Sequence, residues 1–414
     1  MNIIRKTICY LWLHLWKYKA IERQHRRLIS LLSGHVPVKV VFYAIDLALW
    51  RYQHLYELMA SDSRFLPTIV LSPCPGRKQR NQDAQGLRQF FDGKGIPYID
   101  YHEGHPPYDV KGILQPDIVF YPQPYEHLLC PEHDCMNFYD RLTCYASYYF
   151  PLGTQWAYNF HFTNFAWRIY YSLPFQMDVA KKKAFNHGRN VRIVGYANAD
   201  DFLKKRHSDS WKQMSDGKRR KRIIWAPHHT ISIPPFQSNF LWMAELMINI
   251  AKEYSDQLQI AFKPHPNLLT QLYRNEQWGK ERTEAYYKKW NTMRNTQLET
   301  GDYVDLFMTS DAMIHDSASF VAEYHYSQHP VMFVIRDMST PHTDVSTAGL
   351  EAYRAHYMGK TEADIRHFID HVVLGGEDPL KAKREAFFHT HLLPPNNKSV
   401  AQNILDDITE SLNL

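Results

Sequence analysis

With 414 residues, 44% of them hydrophobic, the chain is long enough for two domains with separate cores. A formal net charge of only +5 excludes the strong positive field of a nucleic-acid binder. Five cysteines, few and odd in number, fit a reducing cytoplasm, and 23 histidines with 27 tyrosines suit polar, sugar-like or phosphate ligands.

Residues 1–36 read as an amphipathic helical segment. Seven cations (Arg5, Lys6, Lys17, Lys19, Arg23, Arg26, Arg27) face a single acid, Glu22, and are interleaved with Ile3, Ile4, Ile8, Tyr10, Leu11, Trp12, Leu13, Leu15 and Trp16. The apolar run 7–16 is shorter than the roughly 20 residues that span a bilayer, and no small-residue cleavage site of a signal peptide follows it. Two readings fit this composition. One is a helix lying in the interface of an anionic membrane, which makes the protein cytoplasmic and peripheral at the inner face of the plasma membrane. The other is a helix packed on the protein, with Trp12 and Trp16 as core contacts.

A first domain is expected over 37–203. Strand 38–45 ends at Asp46, helix 47–60 follows, and strand 65–71 closes on Ser72-Pro-Cys-Pro-Gly76. Helix 80–93 and strands at 97–101, 117–121 and 143–150 continue the alternation, then helix 160–185 and strand 191–195. The Cys130-x4-Cys135 pair with His127 and His133 departs from zinc-knuckle spacing, so no metal site is expected there. The polar stretch 204–222, ending in Lys218-Arg-Arg-Lys-Arg222, reads as a linker with a solvated basic run, or one facing anionic lipid or a phosphate-rich acceptor.

A second domain over 223–385 repeats the pattern: strand 222–226 into Pro227-His228-His229-Thr230, helix 240–254, strand 259–262 into Lys263-Pro-His265-Pro, helix 280–298, strand 312–315, helix 319–326 and strand 331–335. Helix 362–374 and a closing helical segment over 386–414 complete the chain. Alternating strands and helices imply parallel sheets covered on both faces, hence an α/β protein of two Rossmann-like doubly wound domains facing across a cleft. Ligands of such sheets sit beyond the carboxyl ends of the strands.

Two strand ends carry groups that grip phosphate. In Asp316-Ser317-Ala318-Ser319 a strand turns into a helix whose first N–H groups lack internal partners and attract an anion. Ser317 and Ser319 add hydroxyls, Ala318 permits close approach, and Glu323 lies one turn on, suited to ribose hydroxyls; the bland alternative is an ordinary helix cap. In Lys263-Pro-His265-Pro each proline holds the residue before it extended, aiming two heads at one place. A phosphate's charge would favour a protonated His265, which then stabilises the leaving group. His228 and His229 follow a third strand of the same sheet. There is no Gly-x-Gly-x-x-Gly, no Gly-x4-Gly-Lys-Ser/Thr and no acidic pair placed for a metal, so no cofactor and no divalent-metal requirement are expected.

These motifs resemble the CDP-glycerol glycerophosphotransferase family, enzymes of teichoic-acid-type polymers with a two-domain glycosyltransferase-B-like fold. The family's Arg/Lys-x-His is matched by Lys263 and His265. Its Ser-Asp-x-x-Ile-x-Asp-Tyr-Ser-Ser with a later acid is matched by Ser310, Asp311, Asp316, Ser319 and Glu323, with Ser317 and Ala318 replacing Tyr-Ser. Val194-Gly195-Tyr196 ahead of Asp200 and Asp201 is similar to its Thr-Gly-Tyr-Pro-x-x-Asp turn. The resemblance implies that Lys263, His265, Ser317 and Ser319 bind the pyrophosphate of CDP-glycerol or a related CDP-polyol and that Glu323 holds the ribose. It also implies transfer of a glycerophosphate-like group to a hydroxyl of a cell-surface glycan or lipid-linked precursor. The His-Gly-Thr-Pro-Leu-Lys segment that carries the family's catalytic base is missing, which leaves Asp46 and His161 as base candidates. Two alternatives stand beside this reading: a glycosyltransferase of the same fold using a nucleotide-sugar donor, and a non-catalytic scaffold of a glycan-assembly complex.

Overall fold

The computed structural model describes residues 2–75, 80–101, 109–153, 158–231, 238–335 and 345–414, with the side chains of 2–14 and 80–83 left aside. Gly76 and the side chains from Ile3 to Leu13, all used above, lie outside the described residues. The chain divides into two compact units, one of Met1–Asp200 with Pro394–Leu414 and one of Asp201–Leu393.

The first unit holds strands β1 (Val38–Ala44), β2 (Phe65–Leu71), β3 (Tyr98–Asp100), β4 (Ile118–Tyr121), β5 (Leu142–Ala146), β6 (Arg168–Tyr171) and β7 (Val191–Ile193). All pair in parallel, in the order β3-β2-β1-β4-β5-β6-β7. The expected helix 160–185 is instead two helices, His161–Phe165 and Pro174–Lys183, separated by β6. Three of the four β6 residues are buried, so the strand lacks the alternation that marks a half-exposed one. The expected helix 47–60 also breaks. Asp46 caps a short 3-10 turn at Leu47–Leu49, and the α-helix runs over Gln53–Ala60.

The last helix, Val400–Leu412, belongs to this first unit rather than closing the second. Its Asp407 carboxylate accepts from Arg168 Nε at 2.8 Å, Tyr170 Oη at 3.0 Å and Arg192 Nε at 3.1 Å, and so is fastened to β6 and β7. Asp200 caps its start, accepting from the amides of Val400 and Ala401. Gly195, with φ +99°, lies against it, and a Cβ there would meet Pro394 and Val400 at 3.0 Å. The Val194–Asp200 turn thus anchors the carboxyl terminus.

The long helix Asn2–Leu32 begins the chain. Its second half packs on the first unit: Tyr18 and Ile21 lie against the core, Lys17 sits over the rings of Tyr139 and Phe165, and His25 and Leu32 are buried. The packed alternative therefore holds for this stretch, although Trp16 is 60% exposed and is no core contact. Among the described residues no helix is long and apolar enough to cross a membrane.

The second unit has β8 (Lys221–Ala226), β9 (Leu258–Phe262), β10 (Thr296–Leu298), β11 (Ala312–His315), β12 (Val331–Val334) and β13 (Tyr357–Gly359), parallel in the order β10-β9-β8-β11-β12-β13. The expected helix 280–298 ends at Thr292, and its last residues form β10 instead. A stack of Trp225, Phe240, Phe262 and Trp290 fills the core beneath the helices Phe240–Glu253 and Gly279–Thr292.

Residues 204–222 are part of this unit rather than a linker. Trp211 is buried and the Lys212 amide donates to Gln297. Of the basic run, Lys218, Arg219 and Lys221 are solvated as expected, while Arg220 and Arg222 are turned into the unit. Arg220 is buried on Asp216 and the Ser255 carbonyl, Arg222 pairs with Asp209, and Arg219 and Lys221 pair with Asp311.

Buried histidines give the fold a pH signature. His25 and His356 are both held neutral by burial, which pushes each down to about 4. Below about 6.5 the unfolded chain takes up protons that the folded chain refuses. This part of the stability is complete above that pH and is lost as pH falls toward 4, at about 1.4 kcal/mol per pH unit for each ring. Urea unfolding from pH 7.5 to 5 should show a midpoint that declines steeply below pH 6.5.

Candidate functional site

The strand order of the second sheet reverses between β8 and β11, and at such a point the connections leave toward opposite faces and open a ligand site beyond the carboxyl ends. The ends of β9, β8 and β11 are neighbours there. The β8–β9 ladder continues past the strands, with the Lys263 amide on the Trp225 carbonyl at 2.8 Å and the His265 amide on Pro227 at 3.0 Å. This register brings His265 beside His228 and His229. Ring centroids are 4.1 Å apart for His229–His265, 4.2 Å for His228–His229 and 5.0 Å for His228–His265.

All three rings are half-buried and held neutral. Burial pushes His228 down to about 4 and lowers His229; burial, then the neighbouring His229, His228 and Lys263, pushes His265 to about 3. The protonated His265 expected from the sequence is tied to a bound phosphate; without one the ring is neutral. Ligand atoms of the three lie within 4.8 Å of one another, close enough to hold a metal ion. The tautomer of His265 speaks against that use. Its Nδ1 accepts from the Asn267 amide at 3.1 Å, so in the neutral ring Nε2 carries the hydrogen. An Nε2–H donates to an anion and has no lone pair for a metal. His228 Nδ1 is fixed by the Thr230 hydroxyl at 2.9 Å, and His229 Nδ1 is buried without a hydrogen-bond partner among the described residues.

Asp316 joins β11 to this cluster. Its Oδ1 accepts from the His228 amide at 2.5 Å. Its Oδ2 accepts from the Asn239 amide at 2.5 Å and from Ser238 Oγ and Asn239 Nδ2 at 3.3 Å. Burial pushes this carboxyl up while the donors pull it down. With both oxygens committed to the protein, Asp316 positions the β8 loop rather than holding donor phosphate itself.

The turn that follows is Ser317, buried, with Ala318 and Ser319 exposed. Ser317 N–H is taken by His315 Nδ1 at 3.2 Å. The α-helix beyond has only four residues, Phe320–Glu323, before a 3-10 turn at Tyr324–Ser327. So few aligned peptides make a weak dipole, and the groups here with hydrogens to donate to an anion are hydroxyls and imidazoles. Glu323 is buried on that helix.

Lys263 is buried and lies closer to the β10 side than expected: Nζ donates to the Gly301 carbonyl at 2.8 Å and sits 5.8 Å from the Tyr303 ring centroid. Burial pushes its ammonium down to about 8, against Glu299 and Asp302.

The two base candidates belong to the first unit. Asp46, at the reversal point of that sheet, spends Oδ1 on the Ala48 amide at 2.9 Å. His161 has Nδ1 3.3 Å from Glu126 Oε2, so a neutral ring donating there keeps its lone pair on Nε2. Glu126 was not foreseen, since no spacing links it to a residue on the far side of β5. The Cys130, Cys135, His127 and His133 set does not converge. Cys130 Sγ contacts Ser72, Cys135 Sγ contacts Tyr139, and His133 Nδ1 bonds Ser72 Oγ at 2.9 Å.

A variant of the wall teichoic acid polymerase TagF superposes with a TM-score of 0.59 at 15% identity, covering 100% of this chain and 98% of that one. The same polymerase soaked with CDPG gives 0.56 at 13%, with the same coverage. UDP-GlcNAc 2-epimerase from Neisseria meningitidis, bound to UDP-GlcNAc, gives 0.58 at 13%, covering 90% and 99%. These likenesses establish the fold, two doubly wound sheets of the glycosyltransferase-B kind. No curated protein matches the sequence. The family model for CDP-glycerol:poly(glycerophosphate) glycerophosphotransferase matches residues 166–410, which takes in all six strands of the second sheet and the motifs at their ends. The chain belongs to this transferase family.

Proposed function

We propose that the protein transfers a glycerophosphate-like group from CDP-glycerol or a related CDP-polyol to a hydroxyl of a cell-surface glycan or a lipid-linked precursor, without a divalent metal. The observation that carries this is the convergence of His228, His229 and His265 beside the Ser317–Ser319 turn, at the reversal point of a sheet. The acceptor oxygen attacks the donor β-phosphorus, the bond from that phosphorus to the bridging oxygen breaks, and CMP leaves with the electron pair. His265 Nε2–H donates to the phosphate oxygens as charge accumulates on the leaving group. Lys263, His228, His229, Ser317, Ala318 and Ser319 line the donor phosphates, and Glu323 takes the ribose. His161, oriented by Glu126, receives the acceptor proton; Asp46 is the other candidate for that role.

Neutral rings that receive an anion gain a reason to be protonated. Binding of CDP-glycerol near pH 7 should therefore take up protons. Calorimetry in two buffers of different ionisation enthalpy should give different apparent heats, the slope reporting net uptake of a substantial fraction of a proton. Equal heats in both buffers, or turnover abolished by a chelator and restored by metal, would contradict this reading.

The first half of the helix Asn2–Leu32 is assigned to an anionic lipid surface, with the protein peripheral at the inner face of the plasma membrane. The cations and aromatic residues of that stretch, followed by the exposed Leu15 and Trp16, support it. Removal of residues 2–14, which spares the packed half, should abolish sedimentation with phosphatidylglycerol vesicles. Unchanged sedimentation sinks the assignment.

A further inference from the structure

Behind the Ser317 turn lies a second, fully buried set of histidines that the proposed chemistry does not use. His315, the last residue of β11, occupies a position that the family pattern leaves open. Its Nε2 is 3.2 Å from Nε2 of His356, which sits between the helix Thr347–Arg354 and β13. His356 Nδ1 is 2.8 Å from the Ala352 carbonyl, which also receives His325 Nε2 at 3.1 Å.

A carbonyl only accepts, so His356 Nδ1 carries a hydrogen. Burial keeps the ring neutral, which leaves Nε2 bare. The hydrogen between the two rings must then sit on His315 Nε2. His315 is neutral for the same reason, so its Nδ1 is bare and accepts the Ser317 amide. The chain has one direction: Ser317 N–H to His315, His315 Nε2–H to His356, His356 Nδ1–H to Ala352. If the other tautomer of His315 formed, Nδ1–H would oppose Ser317 N–H and be drawn to the Ser317 carbonyl, 3.1 Å away. The turn would lose the bond that sets it.

We infer that His356 is a positioning residue for the donor site, fixing the tautomer of His315 and through it the backbone of the Ser317–Ser319 turn. This rests on the reading that the turn binds donor phosphate. It touches no ligand itself; around it among the described residues are His315, His325, Phe333, Tyr353 and the Ala352 carbonyl, with the charge of Arg384 close enough to act on it.

The test compares His356→Leu with His356→Gln in the full-length protein. Gln Oε1 can accept from His315 Nε2–H and keep the tautomer, while His325 still satisfies the Ala352 carbonyl; Leu cannot accept. The Leu variant should raise KM for CDP-glycerol at least tenfold with kcat within threefold of wild type, and the Gln variant should restore KM to within threefold. A folded Leu variant with unchanged KM overturns the inference, as does equal impairment in both. Independently of any variant's folding, long-range 1H–15N correlation on labelled wild-type protein should find His315 protonated at Nε2 and His356 at Nδ1; the opposite pair of tautomers overturns it. If His265→Ala retains wild-type turnover, the donor-site reading fails instead, and the tautomer measurement still stands.

Discussion

His265→Ala should lower kcat for CDP-glycerol by about 10²–10³-fold, the usual cost of removing one donor aimed at developing charge. The residue is half-buried at the tip of β9, where its ring meets those of His228 and His229 and accepts from the amide of the exposed Asn267, so the variant should fold with a nearly unchanged urea midpoint. His265→Asn is informative beside it, because a shorter amide donor held by the same prolines should recover part of the loss. His265→Lys adds a permanent cation among rings that resist protonation, and it should bind donor without restoring the geometry. A His265→Ala enzyme within threefold of wild type would remove His265 from the mechanism.

Asp316→Ala should have the larger effect on the molecule as a whole. Removing the carboxylate leaves the amides of His228 and Asn239 without acceptors at the centre of the second sheet. At roughly 1–3 kcal/mol for each buried donor left unsatisfied, the loss should be about 3 kcal/mol in urea unfolding. Because His228 hangs from one of those amides, KM for the donor should rise as well. Asp316→Asn keeps one accepting oxygen but turns an NH₂ toward a main-chain N–H, so it should fall between. Full stability in Asp316→Ala would mean that the β8 loop is held by something other than this carboxylate.

Much of the fold was legible because its strands are short apolar runs closed by Pro, Asp or Ser. β1, β2, β8 and β11 were found within a residue of their ends. β6, β10 and β13, of three or four residues against four in β11, escaped because they are held by pairing with neighbours, as Tyr357–Gly359 is with β12. Their local sequences carry no strand signal strong enough to outweigh adjacent helices. The place of the last helix was invisible for a similar reason: Asp407 meets Arg168 and Arg192 from more than two hundred residues away.

In the site, proline spacing exposed Lys263 and His265, and the strand ends exposed His228, His229 and Ser317. What the sequence does not show is how burial and protein partners hold each of these groups. Asp316 looks like a ligand group until its four donors are seen, and Lys263 looks free until Gly301 is found beneath it. Glu126 and His356 offered no motif, since each acts through a partner more than thirty residues away. The family resemblance at residues 263–323 held over the matched span and supplied the donor class that strand ends alone could not.

The most direct measurement is a crystal structure of the wild-type protein with CDP-glycerol bound. It should place pyrophosphate oxygens within about 3 Å of His265 Nε2 and of the Ser319 hydroxyl, at the carboxyl ends of β8, β9 and β11. Pyrophosphate bound elsewhere, with all three imidazoles of residues 228, 229 and 265 out of hydrogen-bond reach, would contradict the assignment of this site.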